Sequence, residues 1–139
     1  MDNKALVRRW FEEVWNKGRA DLIDEFLAPN VAIYGLGETL RGPAAFKPFH
    51  AAYRDAFPDV NIVVEDLVAE GDRVAYRWSA TATHRGGGLG IPATHRAARF
   101  TGMGFARFEN GKLLEGWNNF DQLGLFQQLG VVSLPSRTS

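Results

Sequence analysis

Three observations predict an α+β fold, with helices first and an antiparallel sheet second. Apolar residues recur at helical spacing from Lys4 to Phe57, and the period changes to two from Val60 onward. The later segments are joined by glycine-containing turns of hairpin type, Glu70-Gly71-Asp72 and Glu109-Asn110-Gly111. With 139 residues, 45% of them hydrophobic, the chain suffices for one domain with a substantial core and is too short for two. Residues 1–139 are therefore read as a single domain.

From Lys4 to Lys17, the residues Leu6, Val7, Trp10, Phe11, Val14 and Trp15 fall on one helical face, with Asp2 or Asn3 as cap and Gly18 as stop. A second short helix is expected over Asp21 to Leu27, where Pro29 forbids continuation. Val31 to Tyr34 reads as a brief strand, and Gly35, Gly37 and Arg41-Gly42-Pro43 as a loop into a third helix. That helix, Pro43 to Ala56, buries Phe46, Phe49 and Tyr53, with Phe57 just beyond it; Pro48 must lie in its first turn or bend it. After the Phe57-Pro58-Asp59 turn, strands are expected at Val60 to Ala69, Arg73 to His84, Ala97 to Glu109 and Lys112 to Asn119. Between the second and third of these, RGGGLGIPATHR holds too much glycine to pair and is expected as a flexible hairpin loop and pocket rim. An amphipathic helix, Gln122 to Leu129, precedes an aperiodic tail at 130–139 that is expected to be loosely ordered.

Sixteen basic residues balance sixteen acidic ones, so no long-range field marks the chain for nucleic acid or an anionic membrane. A small neutral molecule or a protein partner fits better. The absence of cysteine excludes disulfides, thiol catalysis and thiolate metal sites. The start MDNKALVRRW is charged where a signal peptide needs an apolar run, and no segment approaches the roughly 20 apolar residues of a membrane span. The expectation is a soluble, cytoplasmic protein. His50, His84 and His95 show no ligand spacing, so no metal site is expected, and nucleophile elbows, phosphate loops and dinucleotide fingerprints are missing.

The candidate chemistry converges on KLLEGWNNFDQLGLFQQLG, a strand running into a helix with Asp121 at the joint. Apolar neighbours Trp117, Phe120, Leu123 and Phe126 would desolvate this carboxyl and raise its pKa toward the range useful for proton transfer. The competing role is the N-cap of the last helix, in which backbone N–H groups favour the ionised form. Strand alternation groups Glu115, Trp117, Asn119 and Asp121 on one side and Asn118 with Phe120 on the other, and either Asn118 or Asn119 can orient the acid or hold a substrate oxygen. On the strand before, Arg99, Thr101, Met103, Phe105 and Arg107 share a face; an arginine there can clamp an enolate, or can simply pair with Glu109 or Glu115. The series Tyr76-Trp78-Ala80-Ala82, large then small, leaves room for a cavity or for a packed helix. His84 and His95 border the glycine loop and are candidate acid partners of Asp121. Pocket-wall candidates are Phe11, Trp15, Tyr34, Phe49, Tyr53, Phe57, Trp78, Arg99, Met103, Trp117 and Asn118.

Phe57-Pro58-Asp59, Gly90-Ile91-Pro92-Ala93-Thr94, Phe105 to Lys112, Glu115 to Asp121 and Gln127-Gln128-Leu129-Gly130, in this order and spacing, resemble the SnoaL-like polyketide cyclases of the nuclear-transport-factor-two-like superfamily. The resemblance covers about Lys4 to Gly130. It implies a cone in which a strongly curved sheet wraps around the three N-terminal helices and encloses an apolar pocket, with homodimerisation through the sheet. It also implies one aspartate, by position Asp121, acting as acid/base in an aldol-type closure of an apolar carbonyl compound, without metal or organic cofactor. Cyclases can pair that acid with a histidine; here the preceding strand offers Arg99 and Arg107 instead. Two other functions remain open on this fold. An epoxide hydrolase of the limonene type would need an acid where Thr101 follows Arg99-Phe100, and a non-catalytic ligand-binding or dimerisation module would need only a dry pocket.

Overall fold

A computed structural model of the chain describes residues 2–133 and 135. Half of the expected tail, residues 134 and 136–139, lies outside the described residues. The order is helices, a short strand pair, a helix, four long strands and a final helix, which is the α+β arrangement read from the sequence.

Helix α1 (Asn3–Arg9) starts where Asp2 accepts a hydrogen bond from the Ala5 N–H at 2.8 Å. It then widens into a π-helical segment, Trp10–Asn16, rather than continuing as a regular α-helix to Lys17. The second helix is shorter than its apolar pattern suggests. A 3-10 turn, Ala20–Leu22, leads into a single turn, α2 (Ile23–Phe26), because Leu27 already belongs to a strand. That strand, β1 (Leu27–Tyr34), carries Pro29 at a register shift, with Pro29 and Asn30 exposed where the missing N–H costs no ladder bond. A two-residue strand, β2 (Leu40–Arg41), stands where only a loop was expected. Helix α3 (Pro43–Ala56) is as read, with Pro43 in its first turn and Pro48 within it.

The long strands are β3 (Asn61–Glu70), β4 (Arg73–Thr83), β5 (Ala97–Glu109) and β6 (Lys112–Phe120), and α4 (Gln122–Leu129) follows. Asn110 and Gly111 both have positive φ, 52° and 78°, as the tight hairpin between β5 and β6 requires. The six strands form one curved, open sheet in the order β2-β1-β6-β5-β4-β3. The expectation of a wholly antiparallel sheet is corrected at one seam: β1 runs parallel to β6, so the sheet is mixed. The cause is the chain path, because β1 and β6 are separated by most of the sequence and no hairpin dictates their direction.

Alternation divides the sheet into two faces. On β4, Val74, Tyr76, Trp78, Ala80 and Ala82 point inward and are buried, and on β5, Ala98, Phe100, Gly102, Ala106 and Phe108 do the same. The helices pack on this inner face through Leu6, Val7, Phe11, Val14, Phe26 and Phe46. Helix α4 buries Leu125 and Leu129, and its Gln128 side chain accepts from the Arg99 N–H (2.8 Å) and donates to the Arg99 carbonyl (2.7 Å), completing the backbone pairing of β5 beyond the end of β6.

The loop after β4 is docked onto α3 rather than standing free. The Arg85 and Gly86 N–H groups both donate to the Ala56 carbonyl, at 2.9 and 3.3 Å. A Cβ at Gly86 or Gly88 would lie 2.9 Å from an Asp55 carboxylate oxygen and closer still to the α3 carbonyls. Only glycine lets the two backbones approach this far.

Candidate functional site

Between the helices and the inner sheet face lies a cavity of about 120 Å³. Its floor is made by Tyr76 and Trp78, whose rings lie across the next strand. A Cβ at Gly104 would collide with the Tyr76 ring and hydroxyl, and one at Gly102 with the Trp78 ring and, at 2.9 Å, with Phe120. The two glycines of Gly102-Met103-Gly104 are thus the seats that let these aromatics lie flat. The widened N-terminal helix contributes Leu6, Val7, Trp10, Phe11 and Trp15, and α3 contributes Phe46, Phe49 and Tyr53. Phe57, Phe100, Phe108 and Phe120 complete much of the wall. The rings meet edge to face, as Phe11 does on Tyr76 (5.3 Å), Trp78 on Phe100 (5.9 Å) and Tyr53 on Phe120 (5.9 Å), which holds the walls in place by packing.

Polar groups are few. Among the described residues no carboxylate, lysine, arginine or histidine lines the cavity. Asn118 lies in its wall, and the Tyr76 hydroxyl donates to Asn118 Oδ1. Burial pushes the Tyr76 phenol far above its ordinary value, so it remains a donor. Tyr53 also lines the cavity and accepts from the exposed Gln122 Nε2 at 3.0 Å, and burial raises its phenol while that bond opposes the rise.

Of the sequence-derived wall residues, Phe11, Trp15, Phe49, Tyr53, Phe57, Trp78 and Asn118 lie in this cavity. Four others do not. Met103 and Arg99 belong to the outward parity of β5 and are exposed, Met103 at 62%. Trp117 has the outward parity of β6, and Tyr34 stacks on it outside the cavity at 5.5 Å. In each case the side chain falls on the opposite face of the sheet from the helices. Arg107, also outward, pairs with Glu115 at 2.5 Å, one of the two partners anticipated for it.

Asp121 shares the outward parity of Trp117 and Asn119. Its carboxylate is exposed and accepts from the Gly124 N–H at 2.8 Å, capping α4. It is nevertheless bracketed by cavity structure, since Phe120 before it is in the wall and Gln122 after it holds the Tyr53 hydroxyl. The two loop histidines do not reach the cavity. His84 is fully buried against Phe57, with Nδ1 accepting from the Thr94 N–H (3.2 Å) and Nε2 unpartnered among the described residues. His95 is exposed and meets His84 only through its backbone N–H, which donates to the His84 carbonyl at 2.8 Å.

Sequence reasoning passed over Tyr76 as a polar wall residue, although the inward glycines opposite it were a signal. It also passed over His50 as a wall support. That ring is buried behind Trp15 (4.7 Å) and bonds through Nε2 to the Val14 carbonyl at 2.7 Å, within the π-helical segment. Burial holds His50 below the ordinary histidine range, with the Arg54 charge acting the same way against the Val14 bond. No cluster of three or more metal-ligating side chains occurs among the described residues.

The family model described as SnoaL-like polyketide cyclase matches residues 5–129. The chain belongs to the SnoaL-like polyketide cyclase family. Among solved structures, a protein of Jannaschia sp. CCS1, provisionally named a SnoaL-like polyketide cyclase, superposes with a TM-score of 0.85 at 23% identity, covering 94% of this chain and 93% of that one, a likeness of fold alone. IdmH of Streptomyces antibioticus, provisionally named a polyketide cyclase, gives 0.82 at 26% identity over 94% of this chain and all of its own (100%). AclR of Streptomyces galilaeus, provisionally named a hydroxylase, gives 0.83 at 28% identity over 96% and 88%. No curated protein sequence matches the chain. These neighbours carry different provisional names on one fold, so a shared fold does not by itself assign a chemistry to this chain.

Proposed function

We propose that this SnoaL-like protein takes a small apolar molecule bearing a carbonyl oxygen into the aromatic cavity and promotes a proton transfer of the cyclase or isomerase kind, without metal or organic cofactor. The observation that carries the reading is the cavity itself: a space of about 120 Å³ walled by aromatic rings, whose polar lining includes the Tyr76–Asn118 pair. Asp121 is the acid/base of this reading. It stands beside the wall residue Phe120, and while its Oδ1 accepts from the Gly124 N–H, its second carboxylate oxygen takes the substrate proton in this reading. His84 and His95 take no part in it, since one is sealed behind Phe57 and the other faces solvent. The epoxide-hydrolase reading is not favoured, because Arg99 and Thr101 both lie on the outer sheet face.

The same reading takes the protein to be a cytoplasmic homodimer joined through the outer face of the sheet. What supports the dimer is a cross-strand row, Val68-Ala75-Phe105-Trp117-Tyr34, which runs over five strands and leaves Val68 67% and Trp117 37% exposed. Among the described residues no helix is long and apolar enough to cross a membrane.

The test uses α-hydrogen exchange, the elementary step of the proposed chemistry. Wild type incubated with acetophenone in D2O is expected to accelerate deuterium entry at the methyl group, and Asp121→Asn, which still caps α4, to lose the acceleration while remaining folded. Undiminished exchange in Asp121→Asn would remove the acid/base role. One observation favours a second reading, ligand binding without turnover: no acid lines the cavity among the described residues. That reading predicts binding with no accelerated exchange in either protein.

A further inference from the structure

We propose that Tyr76 and Asn118 together form a donor site for a single acceptor oxygen, so that the cavity selects an aryl ketone, or its enolate, over a hydrocarbon of the same shape. The inference rests on the reading of the cavity as a small-molecule site and adds which atom of that molecule is read, and by what.

The geometry follows from one cross-strand row. Tyr76 on β4 is opposite Gly104 on β5, which is opposite Asn118 on β6. Because the middle position has no side chain, the phenol passes over it and its hydroxyl reaches the amide two strands away. A phenol held in its protonated form has one proton to give, and Asn118 Oδ1 receives it. That bond fixes which way the amide faces. The carbonyl end is turned to the tyrosine, and the two Nδ2 protons are left without a partner among the described residues. Nδ2 lies over Gly116, 3.6 Å from where a Cβ would stand and near the cavity-lining Leu113.

The inventory then decides the ligand chemistry. An Nδ2–H group donates and cannot accept, so its partner must carry a lone pair. The surroundings are rings and aliphatic groups, so the rest of the partner must be apolar, and a cavity of about 120 Å³ holds about one ring. A carbonyl oxygen on an aromatic ring satisfies both demands. An enolate formed from it satisfies them better, because a fixed donor in a dry site gains strength as charge develops on oxygen. Asn118 is thus the residue that touches the ligand oxygen, and Tyr76 is a positioning residue acting through it.

The experiment compares acetophenone with α-methylstyrene, in which the carbonyl oxygen is replaced by CH2 and the shape is kept. Binding to wild type is measured by NMR titration, with the Asn118 side-chain amide resonance as the local signature. Acetophenone is expected to bind about tenfold more tightly and to move that resonance, while α-methylstyrene leaves it in place. In Asn118→Leu the preference is expected to fall to about one, with α-methylstyrene still bound. Asn118→Asp keeps an acceptor for Tyr76 but loses both donors, and it is expected to lose the preference too; it carries the test should the leucine variant not fold. Tyr76→Phe is expected to keep part of the preference, since the donors remain but their direction is no longer held. Equal binding of the two probes to wild type, or a preference that survives in Asn118→Leu or Asn118→Asp, would overturn the donor site while leaving the cavity reading intact. Failure of both probes to bind wild type would overturn both.

Discussion

Two neighbouring rows of the sheet, Tyr76-Gly104-Asn118 and Ala75-Phe105-Trp117, lie one residue apart on the same three strands and face opposite ways. In the inner row the middle strand gives up its side chain, so that a ring from β4 and an amide from β6 meet over it. In the outer row the middle strand supplies the bulk instead, and Phe105 packs on Trp117 at 6.0 Å. The inner face is built by complementary sizes, where each residue's volume is set by its neighbours. The outer face is built by addition, with apolar groups side by side and ion pairs such as Arg77 to Asp66 and Arg107 to Glu115 around them. A one-residue slip would exchange the two faces, which is why the inward glycines and outward charges together pin the register.

The sharpest way to break this comparison is to delete bulk on each side. Trp78→Ala, on the inner face, is expected to cost about 3–5 kcal/mol in urea unfolding, and Met103→Ala, adjoining it on the outer face, less than about 0.5 kcal/mol. Comparable losses would mean that the outer face is packed in the free chain. A smaller effect on the fold, and a large one on assembly, is expected for Trp117→Glu. Light scattering should show the proposed dimer weakened by about 100-fold or more, with the unfolding midpoint of the monomer little changed; a wild type that is monomeric at all concentrations would remove the dimer. The smallest effect concerns the wall support behind the inner face. His50 takes up a proton less readily when folded than when unfolded, so the unfolded state binds more protons and stability falls as pH drops below about 6.5 toward the lower folded value. Above that range the contribution is complete. His50→Phe should flatten this part of the stability profile while leaving the carboxylate-driven loss at lower pH.

Much of this was legible in the chain. Helix α3, the bounds of β5, those of β4 and β6 to within one residue, and both hairpins follow from local patterns, because Asn110-Gly111 has one low-energy turn and period-two alternation has one solution once the inward set is known. The inward set is what the sequence left undecided for β6. Whether Asn118 or Asn119 faces the cavity depends on the pairing of β6 with β5, which shifts register between Arg107 and Phe108. The same shift puts Trp117 and Asp121 on the outside, so the acid that the sequence made central is seen capping a helix at the surface. The parallel seam between β1 and β6 and the two-residue β2 were illegible for a different reason: neither has a local signal, and both are fixed only when distant segments meet. Tyr34 was misplaced along with them, as its facing is inherited from that seam.

The docked glycine loop bears on how such a cavity can change its preferences. Gly86 and Gly88 are pressed against the last turn of α3, and any side chain there must lift the loop from the helix that supplies Phe49 and Tyr53. Gly37 is different: it lies in the turn after β1 beside the wall residue Leu36, and a Cβ there would meet nothing within 4 Å, although its φ of 97° disfavours most residues. A segment that looks pliable by composition is therefore pinned at two of its glycines. Efforts to retune selectivity by library design should keep 86 and 88 constant and spend their diversity at Leu36 and at the α3 ring positions, where size can change without unseating a neighbour's backbone.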